Sequence, residues 1–208
     1  MKIFKKILAL LFPQKCLGCK KENEILCPDC LGKINRPDTP YLKGVHIASN
    51  YQDLVLKKAL WMLKYQGVKQ LAKPLAELIK ERVWKKLETE GWIIVPVPLS
   101  WVKLRRRGYN QAELIARHLF NSRNNLLWGG GLLSKIRETK SQVEVKDREE
   151  RLANIVGSFK AEKPELVKGK KIILIDDVYT TGATMSEAKK VLKEAGAKKV
   201  IGVVVARG

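Results

Sequence analysis

Apolar residues recur along this chain with two periods. Ile172, Ile173, Leu174 and Ile175 form an unbroken apolar run, mostly β-branched, which reads as a strand buried on both faces. Residues 92–97 read the same way and run into Pro96-Val97-Pro98. Residues 200–205 give a third such strand, and 45–51 alternate in the period-2 manner of a fourth. Helical spacing appears in between. Leu56, Leu60 and Leu63 share a face until Gly67 interrupts, and Leu71, Leu75, Leu78, Ile79 and Val83 share the next, predicting a helix over 71–87. Leu114, Ile115, Leu119 and Phe120 mark a helix over 110–120, and Met185 to Ala195 marks another. Short apolar stretches at 126–128 and 131–136 flank the glycines 129–131. Strands alternating with helices predict an α/β fold whose parallel sheet carries crossover helices.

Two segments stand apart. Ile3, Ile7, Leu10 and Leu11 mark one face of a short amphipathic helix ended by Pro13. Its apolar core is short, and Pro13 and Lys15 follow where an export signal has small residues, so a cytoplasmic protein is expected. No run reaches the length of a transmembrane helix. Pro37-Asp38-Thr39-Pro40 reads as a linker, dividing a module at 1–36 from a larger domain at 45–208.

The module contains all four cysteines, as Cys16-Leu-Gly-Cys19 and Cys27-Pro-Asp-Cys30. Two such knuckles can wrap four thiolates around one Zn²⁺, and four protein ligands leave no open position, so the metal would be structural. Gly18 permits the tight turn. Disulfides are the alternative, disfavoured in a reducing compartment. A redox role is disfavoured because neither pair opens a clear βαβ unit.

Chemistry concentrates after the 172–175 strand. Asp176 and Asp177 come first, then Thr180-Thr181-Gly182-Ala183-Thr184, then the helix. Ligands of parallel sheets bind at the carboxyl ends of strands. A turn opening into a helix aims backbone N–H groups at an anion, and Gly182 lets the backbone approach closely with positive φ if required. Three hydroxyls add donors. The two acids repel phosphate but can accept from a vicinal diol or from hydroxyls bound to Mg²⁺. A phosphate and a diol separated by one short loop describe a ribose 5-phosphate. A strand-to-helix turn capped by ordinary Asp and Thr is the bland alternative.

A second basic segment follows the 92–97 strand: Pro98, Leu99, Ser100, then Lys103, Arg105, Arg106 and Arg107 before Gly108. Read as a loop, it could clamp a pyrophosphate through guanidinium forks, or be a basic turn capped by Asn110. With 41 Lys+Arg against 21 Asp+Glu, the charge of +20 suggests a polyanionic partner. Trp101 beside the arginines is the best candidate for stacking a base, with Arg106 as a nucleic-acid contact, whereas Trp61 and Trp92 are expected in the core. His46 and His118 have no evident partner and read as structural. A nucleotide P-loop is excluded, because Gly-x-x-x-x-Gly-Lys-Ser/Thr is absent.

The acid pair with its Thr-Thr-Gly-Ala-Thr turn resembles the binding motif for 5-phosphoribosyl-1-pyrophosphate (PRPP) in type I phosphoribosyltransferases. Further segments occur in one order: the cysteine pairs, Val95-Pro96-Val97-Pro98-Leu99-Ser100, Arg107-Gly108-Tyr109-Asn110-Gln111, Arg137-Glu-Thr-Lys-Ser-Gln142, Arg151-x-x-Asn154 and Gly157-Ser-Phe159. Together they resemble the ComF family of competence-associated, phosphoribosyltransferase-like proteins over nearly the full length, with Tyr109 where many members carry Phe. The resemblance implies a type I phosphoribosyltransferase-like sheet with a four-cysteine zinc module. It implies that Asp176 and Asp177 hold ribose hydroxyls and residues 180–184 the 5-phosphate. Pro98, Leu99, Arg105 and Arg107 would meet the pyrophosphate with Mg²⁺. Arg137, Lys140 and Gln142 would belong to a closing lid. It also implies a role in DNA uptake during natural transformation, with single-stranded DNA and the competence helicase machinery as partners. The alternatives are a non-catalytic single-strand-binding uptake factor and a nucleobase phosphoribosyltransferase of salvage metabolism. Any acceptor pocket is expected from residues 1–65.

Overall fold

The computed structural model describes residues 14–122, 125–138 and 155–208. The amphipathic segment before Pro13, the lid residues Lys140 and Gln142, and Arg151 and Asn154 lie outside the described residues. In chain order the elements are α1 (Pro28–Lys33), β1 (Tyr41–Leu42), β2 (Val45–Asn50), α2 (Leu54–Tyr65), α3 (Ala72–Arg82), β3 (Ile93–Pro96), α4 (Trp101–Arg107) and α5 (Gln111–Phe120). There follow β4 (Leu127–Trp128), β5 (Leu133–Lys135), β6 (Phe159–Ala161), α6 (Pro164–Val167), β7 (Lys171–Tyr179), α7 (Ala183–Glu194) and β8 (Lys199–Arg207).

The main sheet runs β1-β2-β8-β7-β3-β4, parallel throughout except for the antiparallel edge strand β1. A separate antiparallel pair joins β5 to β6. Alternate residues of β7 feed two cores. Ile173 and Ile175 pack with α2, α3 and α5, whereas Ile172 and Leu174 pack with α7 and the β5–β6 pair. Burial on both faces explains why this strand is apolar without interruption.

Cys16, Leu26, Cys27 and Ile34 belong to the same core as α2 and α3. Arg82 on α3 ties the module down further. Its guanidinium donates to the carbonyls of Gly32, Ile34, Asn35 and Ala48 at 2.7–3.3 Å.

Four expectations change. The strand expected at 172–175 continues through both aspartates to Tyr179. The helix expected over 71–87 is helical only at Ala72–Arg82, with 3-10 turns at Lys69–Leu71 and Trp84–Lys86. The arginine-rich segment is a helix, not a loop. Ser100 stands at its N-cap, good helix formers fill it, and Gly108 stops it in the left-handed conformation, φ 76°. Trp92 is buried as expected, but Trp61 is 50% exposed. It follows Leu60 by one helical step, which turns it away from the buried stripe of Leu56, Ala59, Leu60 and Leu63.

Candidate functional site

β7 and β3 are adjacent and parallel, with Val95 opposite Leu174 and Pro96 opposite Ile175. The loops leaving their carboxyl ends therefore lie side by side. Val97 N donates to Ile175 O at 2.9 Å, carrying the pairing to the edge of the acid pair. Asn110 then fixes the first loop to α5: its Nδ2 donates to Val97 O at 2.9 Å, and its Oδ1 accepts from Ala112 N at 3.0 Å. The capping role foreseen for Asn110 is thus combined with a brace on the loop that holds Pro98 and Leu99.

After β7 the chain turns into α7. Gly182 occupies the helix N-cap at φ 82°, a conformation that favours glycine. A Cβ there would also collide with the Tyr179 hydroxyl and ring. Ala183 N donates to Thr181 Oγ1 at 3.4 Å, and the first helical bond runs from Ser186 N to Gly182 O at 2.8 Å. The N–H groups of this first turn form the positive end of a twelve-residue helix. A small cleft, partly open to solvent, lies against them, lined by Asp176, Tyr179, Thr180, Gly182, Ala183 and Thr184 among others. Four of the five turn residues are thereby gathered around one point with Asp176. Thr181 sits behind them, bonding the Ala183 amide.

The two aspartates part company. Successive residues of a strand project to opposite faces. Asp176 lines the cavity, but Asp177 is 4% exposed and turns toward the α2 face. There its Oδ2 meets Lys64 Nζ at 2.8 Å, its only polar partner among the described residues. Asp176 Oδ1 accepts from Asp177 N at 2.8 Å, and Asp177 Oδ1 from Val178 N at 2.7 Å. Burial, then the charge of Asp177, pushes Asp176 up to about 8. Burial pulls Lys64 down, but the charge and hydrogen bond of Asp177, with help from Asp176, outweigh it, and the net shift is upward. A carboxylate and an ammonium thus meet beneath the site, on the side of β7 opposite Asp176.

The helical geometry of α4 separates its arginines. Residues two apart on a helix face different directions. Arg105 folds over Trp101 at 5.0 Å, Arg107 covers Tyr65 at 5.5 Å and bonds Gln111, and Arg106 is exposed. The single guanidinium clamp expected from a loop is therefore not formed. Trp101 is 65% exposed. Lys103 instead reaches Glu138 at 3.8 Å. Lys135 on β5 is pushed down to about 8, first by burial and then by Lys103, while Glu138 and Asp176 act in the opposite direction. Lys135 and Lys64 are the cations the sequence reading passed over. They lie on unrelated segments and carry no local motif. Arg137 donates to Val156 O at 2.7 Å. Both histidines are held below the ordinary range, first by partial burial and then by Lys199 at His46 and Lys73 at His118.

In the cysteine module, the four cysteine sulfurs lie within 4.8 Å of one another. Cys27 Sγ is 3.6 Å from those of Cys16 and Cys19, too far for a disulfide. A tetrahedral ion with bonds of about 2.3 Å holds its sulfurs about 3.8 Å apart, so the donor set fits four-coordination. Gly18 owes its place to close approach, since a Cβ there would lie 2.6 Å from Cys30 Sγ.

A family profile described as a phosphoribosyl transferase domain matches residues 69–208. Competence protein ComFC of Streptococcus pneumoniae is 31% identical over 205 residues, covering 87% of both chains. ComFC of Bacillus subtilis is 28% identical, covering 87% of this chain and 72% of that one. The DNA utilization protein YhgH of Salmonella typhi is 28% identical over 197 residues, covering 89% and 85%. Among solved structures, a phosphoribosyltransferase from Corynebacterium diphtheriae superposes with TM-score 0.40 at 19% identity, covering 72% of this chain and 75% of that one.

Replacing Lys64 by Met should destabilise the protein by about 3 kcal/mol, because it strands a buried carboxylate. Adding Asp177→Asn should recover most of that loss in chemical denaturation; simple additivity would show that the pair is not coupled. A folded-state pKa raised above 3.8 means the native state binds the proton more tightly than the unfolded chain. Asp176 should therefore make stability fall as pH rises from about 4 to about 8, and Asp176→Asn should flatten that decline when denaturation midpoints are compared across the range.

Proposed function

The chain belongs to the phosphoribosyl transferase domain family and to its ComF branch, and we propose that it binds PRPP at the β7–α7 turn in the service of DNA uptake. One observation supports this above the others: Asp176, the Thr180–Thr184 turn and the α7 N-terminus surround a single cavity. The helix end and hydroxyls suit the 5-phosphate. Asp176 accepts from a ribose hydroxyl, and Asp177 acts from beneath through its charge while Lys64 holds it in place. The Pro98–Leu99 loop, beside the acid pair, meets the pyrophosphate end. Lys103 and Lys135 supply positive charge there in place of Arg105 and Arg107, which are occupied by aromatic rings. Mg²⁺ bound with the pyrophosphate would neutralise the leaving group. The reaction class is displacement of pyrophosphate from ribose C1: an acceptor lone pair forms the new bond and the C1–O pair leaves with pyrophosphate. The chain's own contribution is to hold both ends of the sugar in fixed geometry.

The cysteine cluster we assign to structural Zn²⁺, which would lock residues 16–30 onto α3. A second reading, single-strand binding, is favoured by the Arg105–Trp101 stack on the surface and by the DNA-related names of the relatives.

Calorimetric titration with PRPP and Mg²⁺ should show one site per chain. Asp176→Ala and Gly182→Ala should each weaken it at least tenfold, and unchanged affinity in both would refute the assignment. Metal analysis of purified protein should give one zinc per chain. Cys16→Ser with Cys27→Ser should abolish it; a metal content unaffected by those changes would rule out this donor set.

A further inference from the structure

Helix α2 carries a second stripe opposite its buried one. Leu54, Lys58, Trp61 and Tyr65 recur at helical spacing, and all four are exposed. Leu54 is 81%, Trp61 50% and Tyr65 60% exposed. A surface helix is expected to be polar on this side. The rings are ordered against one another, with Trp61 and Tyr65 centroids 6.3 Å apart at 48°. Arg107 from α4 extends the row, its guanidinium 5.5 Å from the Tyr65 ring. Gln111 holds that guanidinium in turn. Lys69 adds a cation at 4.8 Å from the neighbouring Tyr109 ring, whose hydroxyl donates to Leu63 O on α2.

The charge of this row has one sign. Lys57, Lys58, Lys69 and Arg107 surround it, and the carboxylate at the start of the helix, Asp53, is engaged by the amides of Asn35 and Leu56. Exposed rings spaced along a cationic track are the chemistry by which unpaired bases are held without regard to sequence, the bases stacking while Lys and Arg follow the phosphates. A protein partner of ordinary composition would meet an uncompensated positive rim. The stripe from Leu54 to Tyr65 rises about 16 Å along the helix, room for a few stacked nucleotides.

We propose that Trp61, Tyr65 and Arg107 form a base-stacking ladder for single-stranded nucleic acid. The inference rests on the single-strand reading above and gives it a location different from Trp101.

Fluorescence anisotropy with labelled oligo-dT of about twenty nucleotides tests this, alongside a duplex of the same length and calorimetry with PRPP. Trp61→Ala and Tyr65→Ala should each weaken oligo-dT binding about tenfold, as expected for loss of one stacked base. Tyr65→Phe should bind like the wild type, because it keeps the ring. The slope of log affinity against log salt should stay unchanged in all three, since no phosphate contact is removed. PRPP affinity should be unaltered. Wild-type binding that survives both alanine changes would overturn the ladder while leaving single-strand binding standing, and so would a loss confined to Trp101→Ala. A duplex bound as tightly as oligo-dT would overturn it as well. A wild-type protein that binds no oligonucleotide would refute the single-strand reading and the ladder together, and the PRPP titration would be unaffected.

Discussion

The site is governed by the alternation of a β-strand. Two carboxylates in sequence look like one binding group, but a strand that continues through them sends them to opposite faces. Asp176 enters the cavity and Asp177 enters the core, where a charge is tolerated only with a partner. Lys64 is that partner, and it comes from a helix more than a hundred positions earlier in the chain. Removing either member would leave an uncompensated charge between the sheet and α2. The pair thus couples the position of α2 to the state of the site.

From this constraint the rest of the arrangement follows. α2 is held by Lys64 at β7, by the Tyr109 hydroxyl at Leu63, and by Tyr65 against Arg107. Asn110 then bridges α5 to the loop after β3, and the parallel register of β3 with β7 brings that loop to the acid pair. Segments that appear as separate motifs in the chain are thereby connected through one helix end. The cysteine module sits behind the same helices, sharing their core and held by Arg82.

Much of this was legible in the sequence. The apolar runs at 92–97 and 172–175 identified the strands that flank the site, and Asp176 with residues 180–184 identified the turn. These signals are local, set by period and turn chemistry. The cysteine spacing was equally direct, and the sulfurs do converge. What escaped was tertiary. Nothing within reach of Lys64 in sequence marks it as a counter-ion, and Lys135 lies on a three-residue strand with no pattern of its own. The arginines of 105–107 looked like a clamp because adjacency in sequence was taken for adjacency in space; a helix scatters them. Trp61 was assigned to the core on hydrophobicity, when its position one step after Leu60 already pointed outward.

The central claim is that a phosphorylated pentose lies between Asp176 and the start of α7. A crystal structure of the protein with PRPP and Mg²⁺ tests it most directly. The account predicts the 5-phosphate against the amides and hydroxyls of residues 180–184, a ribose hydroxyl at Asp176, and Lys64 still paired with Asp177. A sugar phosphate bound at any other surface, with this cavity left to solvent, would contradict it.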